Sequence, residues 1–343
     1  MEKQMSDVVL SVLMPTYNGA VVLADTIKCL LNQELDVPWE LVICDDSSTD
    51  STVSIARSFG DKRVKVFENT TNLGYPGNLN RCLSLSQGEI LFLFGQDDLL
   101  QRGSLQEAVD IFSSHPEVGA ICRPYFAFDD DLKRPVRYKK RLKSQDTQTR
   151  LVTMRSDWSD ILGVFHTLDQ LSGLAFRRKW VSLPFHDDVF PCHVYPFADI
   201  LKKHTVAFVP TYTVAVRTWT SQCRSQSWIY DKSPVRSWVD LFSNVFPERE
   251  FQDFRTFMWR QFVGTNAVGL LQVRNYGTRP LWFFIREVRE MLAIRKRNLV
   301  DPIFLGIVVY CVIVPPILSR RIVDAFKRRI SSTTIPEIAF TSS

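Results

Sequence analysis

Two pairs of adjacent carboxylates, Asp45-Asp46 and Asp97-Asp98, are the residues of this chain best suited to chemistry. Each pair closes a short apolar run, Trp39–Cys44 before the first and Glu89–Phe94 before the second. Two carboxylates in a crevice repel each other and are costly to bury unless a cation accompanies them. Magnesium or manganese bound with a diphosphate is the usual companion, because both ions prefer oxygen ligands and keep open positions. For Asp97-Asp98 the competing reading is a solvated turn that caps the next helix. Asp45-Asp46-Ser47-Ser48-Thr49-Asp50 is equally able to cap a helix. Two adjacent acids exceed what a cap needs, and one of them could accept hydrogen bonds from a base or ribose, as acids after strands do in nucleotide folds.

The elements that must position these acids are legible in the apolar pattern. Val8–Met14, Trp39–Cys44, Val64–Glu68, Glu89–Phe94 and Val118–Arg123 read as buried strands, short and rich in branched apolar residues. Ala20–Asn32, Ser48–Phe59, Asn72–Leu85 and Ser104–Ser113 read as helices, several opening on capping residues. Strands alternating with helices of this length predict right-handed βαβ units and a mostly parallel sheet. Ligands bind beyond the carboxyl ends of such strands, so both acidic pairs are expected at one crevice. The pattern breaks down from Phe128 to Lys143, where Lys133–Lys143 carries seven basic residues in eleven. It returns at Leu171–Arg177, Phe197–Lys203 and Val206–Pro210, and becomes helical from Val239 onward.

Taken together, these motifs resemble glycosyltransferase family 2. The resemblance rests on Pro15-Thr16-Tyr17-Asn18-Gly19 after the first strand, Val42–Asp50, Asn72-Leu73-Gly74, and Gly88–Asp98, in that order and spacing across about residues 8–123. It implies a GT-A fold, a nucleotide-diphosphate-sugar donor, a divalent cation (Mn²⁺ or Mg²⁺) and inversion at the anomeric carbon. By motif, it places Pro15 and Tyr17 at the base pocket and Asp46 on the base or ribose. Asp97 would meet the ribose or sugar, and Asp98 would hold the metal. The chain departs from the commonest Asp-x-Asp-Asp form, because Gly95 stands at the first acidic position.

The general base is less plainly marked. The family's acid stands about 17 residues before a strand ending in proline, and counting back from Pro210 reaches His193. The intrinsic pKa of histidine permits a basic role. A structural histidine is the alternative, with Asp188 and then Asp199 as the next candidates for the base. Arg217 and Arg224 follow the Pro210 strand, where related enzymes close a loop over the diphosphate, and a guanidinium suits phosphate. Both are equally compatible with a solvated surface. The basic run 133–143 could meet a phosphate-bearing acceptor or be a solvated loop.

Composition bounds the rest. Hydrophobic residues make up 45% and charged residues 23%, which excludes a largely disordered chain. The seven cysteines form no CxxC pair, so neither a disulfide framework nor a zinc site is expected, and a reducing compartment fits. No signal-peptide-like apolar stretch precedes Pro15, so the chain is not expected to be exported. The net charge is +5, yet residues 271–343 hold 12 Lys or Arg against 5 Asp or Glu, a balance of +7 that leaves the first 270 residues at −2. A basic tail points to an anionic partner. The uncharged stretch Pro302–Leu318 and the apolar Leu281–Ile285 favour an anionic membrane surface over nucleic acid. Seventeen residues are short for a spanning helix, and basic clusters on both sides argue for an interfacial or re-entrant segment. A helix buried against its own chain is the alternative.

The sequence therefore predicts a GT-A catalytic domain over 8–220 and a helical region over 221–343, membrane-associating at about 281–321. The expected reaction joins a sugar to a saccharide or lipid-linked saccharide acceptor, in surface polysaccharide synthesis at the cytoplasmic face of a bacterial inner membrane. Two alternatives stand beside it. A nucleotidyltransferase-like enzyme would want a Gly- and Arg/Lys-rich phosphate loop, which Pro15–Gly19 is not. An inactive nucleotide-sugar-binding scaffold would account for Gly95 and His193.

Overall fold

A computed structural model describes residues 8–128, 135–138, 147–218, 229–230, 232–279 and 281–330. The described chain divides into two compact units, the first holding residues up to 187 and 192–217, the second 188–191 and 218–333.

In the first unit, β1 (Leu10–Thr16), β2 (Trp39–Asp45), β3 (Val64–Glu68) and β4 (Ile90–Leu93) pair in parallel in the order β3-β2-β1-β4. The connections are helical: α1 (Leu23–Leu31), α2 (Thr52–Ser58) and α3 (Gly74–Leu85). Both faces of β1 are buried, so its sequence is a continuous apolar run rather than an alternation. Leu10, Val12 and Met14 join a core with Leu23, Ile27 and Leu30 of α1. The opposite face of the sheet is covered by α3, which packs on β1 and β2.

Beyond β4 the sheet changes direction. β10 (Ala175–Arg177) inserts antiparallel between β4 and β6 (Val118–Cys122), and β11 (Thr205–Phe208) follows parallel to β6, with β9 (Arg150–Val152) antiparallel at the edge. The sheet is thus mostly parallel, as its sequence predicts, with two short antiparallel strands that the pattern did not reveal. A second small sheet is made of β5 (Leu99–Leu100), β7 (Tyr125–Phe128), β8 (Pro135–Tyr138) and β12 (Val214–Arg217), in the order β5-β12-β7-β8. Its importance is positional: β5 begins directly after Asp98, and β12 ends in Arg217. Helices α4 (Ser104–Ser114), α5 (Trp158–Phe165) and α6 (Val194–Lys203) complete the unit.

The second unit is helical, with α7 (Pro234–Val245), α8 (Gln252–Met258), α9 (Ala267–Tyr276), α10 (Leu281–Ile294), α11 (Pro302–Ile313) and α12 (Pro316–Ile330). Apolar residues of α10 stand in the sequence at 281, 284, 285, 288, 291 and 292; the structure buries Phe284 and Met291 of these, together with Phe283 and Glu287. The burial of Glu287 has a polar cause. Glu287 accepts from Ser233 Oγ (2.7 Å) and the Val235 N–H (3.3 Å) at the start of α7, where a helix terminus favours a carboxylate. Burial raises the Glu287 pKa, and Leu281, Trp282 and Ile285 are left exposed. No helix among the described residues is long and apolar enough to cross a membrane.

Candidate active site

The parallel strands deliver Thr16, Asp45 and the residues after Leu93 to one edge of the sheet, and the chain there is bound into itself by side chains. Asp45 is buried. Its Oδ1 accepts from the Ser48 N–H (2.8 Å), and its Oδ2 accepts from Ser48 Oγ (2.6 Å) and Thr16 Oγ1 (3.0 Å). The first acid of this pair is thus a scaffold for its own turn. Asp46 Oδ1 accepts from Asn69 Nδ2 (2.9 Å) and from the Leu73 N–H (2.7 Å), which anchors the loop leading into α3. Asn69 Nδ2 also reaches Asn78 Oδ1 (3.0 Å), and Asn78 Nδ2 donates to the Cys44 carbonyl (2.8 Å). The other carboxylate oxygen of Asp46 has no protein donor among the described residues, so it is the atom of this pair able to accept from a ligand.

Pro15 and Tyr17 end β1 half-buried at the same edge. Gln96 grips the Tyr17 peptide on both sides: Tyr17 N–H donates to Oε1 (2.9 Å), and Nε2 donates to the Tyr17 carbonyl (3.1 Å). Gly19 makes room for this clamp, since a Cβ there would lie 2.5 Å from Gln96 Oε1.

Asp97 and Asp98 follow immediately. Asp98 is buried, and its Oδ2 accepts from Gln170 Nε2 (2.6 Å) and from Ser172 Oγ, whose oxygen in turn accepts from the Gly95 N–H (2.8 Å). Its Oδ1 accepts from the Arg217 N–H (3.2 Å). Despite these donors, burial first and the Asp97 charge second push the Asp98 pKa well above the ordinary carboxylate range. The departure at Gly95 gains a spatial meaning. A Cβ at Gly95 would sit 3.0 Å from Asp98 Oδ2, 3.2 Å from Asp97 Oδ1 and 3.3 Å from Ser172 Oγ. Both carboxylates and a hydroxyl therefore converge on the place that an acidic side chain would enter.

Register explains why Arg217 is present. β12 runs antiparallel to β5 with Ala215 opposite Leu99, so Val216 and Arg217 continue toward Asp98 and Asp97. Arg217 Nε donates to the Asp97 carbonyl (3.2 Å), Nη2 stands 3.9 Å from Asp25 Oδ2, and the guanidinium lies 4.9 Å over the Phe128 ring. Pro15, Tyr17, Asp46, Asp97, Asp98 and Arg217 are thus gathered at the carboxyl edge of the sheet and the small sheet beside it. Arg224 and most of the basic run 133–143 lie outside the described residues, with only the backbone of 135–138 described.

The three candidates for the base fare differently. His193 is buried before α6, its Nε2 donating to the Leu168 carbonyl (2.9 Å) and its Nδ1 3.8 Å from Cys192 Sγ. Burial lowers its pKa from 6.5 to about 4, and with Nε2 committed to the Leu168 carbonyl the ring sits as the structural histidine that the sequence offers as the alternative. What His193 does is support the Leu168–Ser172 turn that supplies Gln170 and Ser172. Asp199 is spent as well: it pairs with Lys203 (2.7 Å) one helical turn on and accepts from Ser182 Oγ. Asp188 belongs to the second unit, where its Oδ1 accepts from the Phe190 N–H (3.2 Å).

Sequence reasoning missed the donors Gln170 and Ser172 and the neighbouring Asp169. Asp169 is exposed, accepts from Tyr125 Oη (2.9 Å), and bears electrostatically on His193. The one local signal was Gly173, whose φ of 89° marks a sharp turn after Ser172.

No group of three acid, His or Cys side chains able to hold a metal occurs among the described residues. Magnesium is ordinarily held by one or two carboxylates plus substrate phosphates rather than by an all-protein cage. Two converging carboxylates, one pushed toward its neutral form by burial first and by the other's charge second, fit that arrangement in chemical type.

Comparison with known proteins agrees with this geometry. Residues 11–168 match the family model described as Glycosyl transferase family 2. The chain is 33% identical over 123 residues to the putative glycosyltransferase EpsE of Bacillus subtilis, covering 35% of this chain and 44% of that protein. It is 30% identical over 107 residues to WfgD of Escherichia coli, a UDP-Glc:alpha-D-GlcNAc-diphosphoundecaprenol beta-1,3-glucosyltransferase, covering 31% and 42%. The matches thus span less than half of these relatives' lengths. Among solved structures, S. aureus TarS 1–349 in complex with UDP-GlcNAc superposes with a TM-score of 0.60 at 18% identity, covering 97% of each chain. A mannosyltransferase from Pyrobaculum calidifontis, in complex with GDP-Man and Mn²⁺, gives 0.51 at 16% identity, covering 94% of this chain and 86% of that one. These likenesses establish the fold, an α/β GT-A fold with a mostly parallel sheet flanked by helices. The chain carries a glycosyltransferase family 2 domain over residues 11–168.

Proposed function

We propose that this protein is an inverting glycosyltransferase that moves a sugar from a nucleotide diphosphate to a saccharide acceptor, lipid-linked in the reading favoured here. The observation that carries the reading is the convergence of Asp97 and Asp98 beside Arg217 at the carboxyl edge of the parallel sheet. The support for a lipid-linked acceptor is the activity for which relatives such as WfgD are named. TarS is named for a poly(ribitol-phosphate) acceptor, which makes a polymer acceptor the second reading.

In this reading Pro15 and Tyr17 border the base, and the uncommitted oxygen of Asp46 accepts from the base or ribose. Asp98 would hold Mn²⁺ or Mg²⁺ and Asp97 would meet the ribose or sugar, and a bound cation would supply charge neutralisation to the departing diphosphate. The Arg217 guanidinium, already at Asp97, adds a fixed positive charge where negative charge develops. Asp169 takes the acceptor proton, since it is an exposed carboxylate on the turn that also holds Asp98. The setting is surface polysaccharide synthesis at the cytoplasmic face of a bacterial membrane, with the second unit meeting an anionic membrane surface.

The test is nucleotide release from a panel of UDP-, GDP- and dTDP-sugars with Mn²⁺ or Mg²⁺. Metal-dependent release from one donor is expected. Asp169→Asn should keep donor affinity while losing about 10²–10⁴-fold in transfer to acceptor, the range of a general base. Absence of any nucleotide-sugar binding by calorimetry would sink the reading.

A further inference from the structure

The second unit exposes more apolar surface than a stable isolated fold has reason to show. Val300 is 76% exposed, Ile303 73%, Ile313 71%, Ile317 67% and Phe326 63%. Val300 precedes α11 and the others lie on α11 and α12, where α11 presents only Phe304 and Cys311 as fully buried side chains. Contiguous apolar surface of this kind marks an interaction site.

Three observations choose the partner. First, length: α11 has 12 residues, about 18 Å at 1.5 Å per residue, against a hydrocarbon core of about 30 Å. Val314, the C-cap of α11, is followed by Pro315 and then by Pro316, which opens α12, so the two helices do not fuse into a spanning one. Second, charge: Lys296 and Arg297 stand exposed before α11, and Arg320 and Arg321 stand exposed on α12. Asp301 is consumed locally. It caps α11 through the Ile303 and Phe304 N–H groups (3.1 and 3.2 Å) and pairs with Arg295 (3.0 Å). Third, the inward side is already satisfied by its own unit, since α9 packs on α11 and α12, and Arg274 Nε donates to the Cys311 carbonyl (3.1 Å).

Short helices with apolar side chains outward and cations at their flanks fit a bilayer interface, where apolar groups sink about 5–10 Å and cations meet lipid phosphates. We infer that α11 and the start of α12 form a membrane-docking surface that lies in the plane of an anionic lipid leaflet, inserting Ile303, Ile313 and Ile317 while Lys296, Arg297, Arg320 and Arg321 bind headgroups. This deepens the membrane part of the proposed function and rests on it, but it does not depend on the glycosyl-transfer chemistry. A second copy of the chain is the competing occupant, and the basic flanks oppose it because two such faces would repel.

The experiment is vesicle flotation of the full chain with phosphatidylcholine alone and with added phosphatidylglycerol. The protein should float with the anionic vesicles, less so in high salt, and weakly with the neutral ones. Ile313→Asp with Ile317→Asp should lower partitioning on the order of tenfold or more, because exposed side chains are changed and burial is lost only in lipid. Arg320→Glu with Arg321→Glu should abolish the preference for anionic vesicles. Nucleotide-sugar binding, measured in parallel, should be unchanged in both variants, which separates failure of docking from failure of the enzymatic reading. Flotation undiminished in both variants would overturn the proposal. So would a dimer in light scattering that dissociates in Ile313→Asp with Ile317→Asp without any lipid binding by the parent chain.

Discussion

The two acidic pairs carry the same signature in sequence and opposite electrostatics in space. Asp45 and Asp46 end β2 among donors: Ser48 and Thr16 on one, Asn69 and the Leu73 N–H on the other. Their carboxylates work as staples that tie the turns after β1, β2 and β3 together. Asp97 and Asp98 stand between β4 and β5 with their carboxylates converging, and Asp98 is driven toward its neutral form by burial and by its neighbour's charge. One pair is wired into the fold, the other is held at a cost that a ligand can relieve. Perturbed groups of the second kind concentrate at functional sites.

Two changes test this contrast. Asp98→Ala should lower donor turnover by about 10²–10³-fold, the effect of removing one charge-stabilising group from an active site. Its loss of folding stability should be smaller than its effect on turnover suggests, because the carboxyl it removes was already disfavoured as an anion. Asp45→Ala should do the reverse. It leaves the Ser48 N–H and Thr16 hydroxyl without their acceptor and should cost about 3 kcal/mol in urea unfolding, with loss of activity tracking loss of folded protein. Equal unfolding penalties in the two variants would break the distinction between the pairs.

The smallest effect concerns His193, a buried group held neutral without a charged neighbour dominating it. Its folded pKa of about 4 lies below the ordinary 6.5. Between these values the unfolded chain takes a proton that the folded chain refuses. This contribution to stability is therefore complete above pH 6.5 and declines as pH falls toward 4. By pH 5 the loss should be about 2 kcal/mol, read by denaturation at pH 7 and pH 5. His193→Asn should flatten that dependence. A slope unchanged in the variant would mean that His193 is not the buried neutral group described.

Much of the first unit was readable because its signals are local. β1 to β4 and the helices between them declare themselves by apolar runs and helical spacing, and the predicted ends fall close to the observed ones. The acids were readable because a carboxylate pair after a strand is unusual in type. The rest failed for identifiable reasons. β5 has two residues, too few to carry a pattern, and the partners of β10 and β12 come from distant parts of the chain. Gln170 and Ser172 are ordinary polar residues until the turn at Gly173 brings them to Asp98. His193 was reached by counting, but burial is a property of its surroundings, and burial is what deprives it of basicity. On α10 the apolar pattern did not mark Glu287 as buried, because its partners belong to a helix that begins more than fifty residues earlier.

What the sequence determined by itself is the succession of strands and helices, the arrival of two acidic pairs at one edge, and the departure at Gly95. These follow from hydrophobic periodicity and residue type, both of which act over a few residues. What only the tertiary structure decided is which pair is satisfied and which repels. That depends on hydrogen-bond donors and charges brought from distant parts of the chain, Arg217 by the β5–β12 pairing and Ser172 by the turn after α5. A carboxylate's affinity for a proton or a cation is set by those neighbours in space, and no local spacing records them.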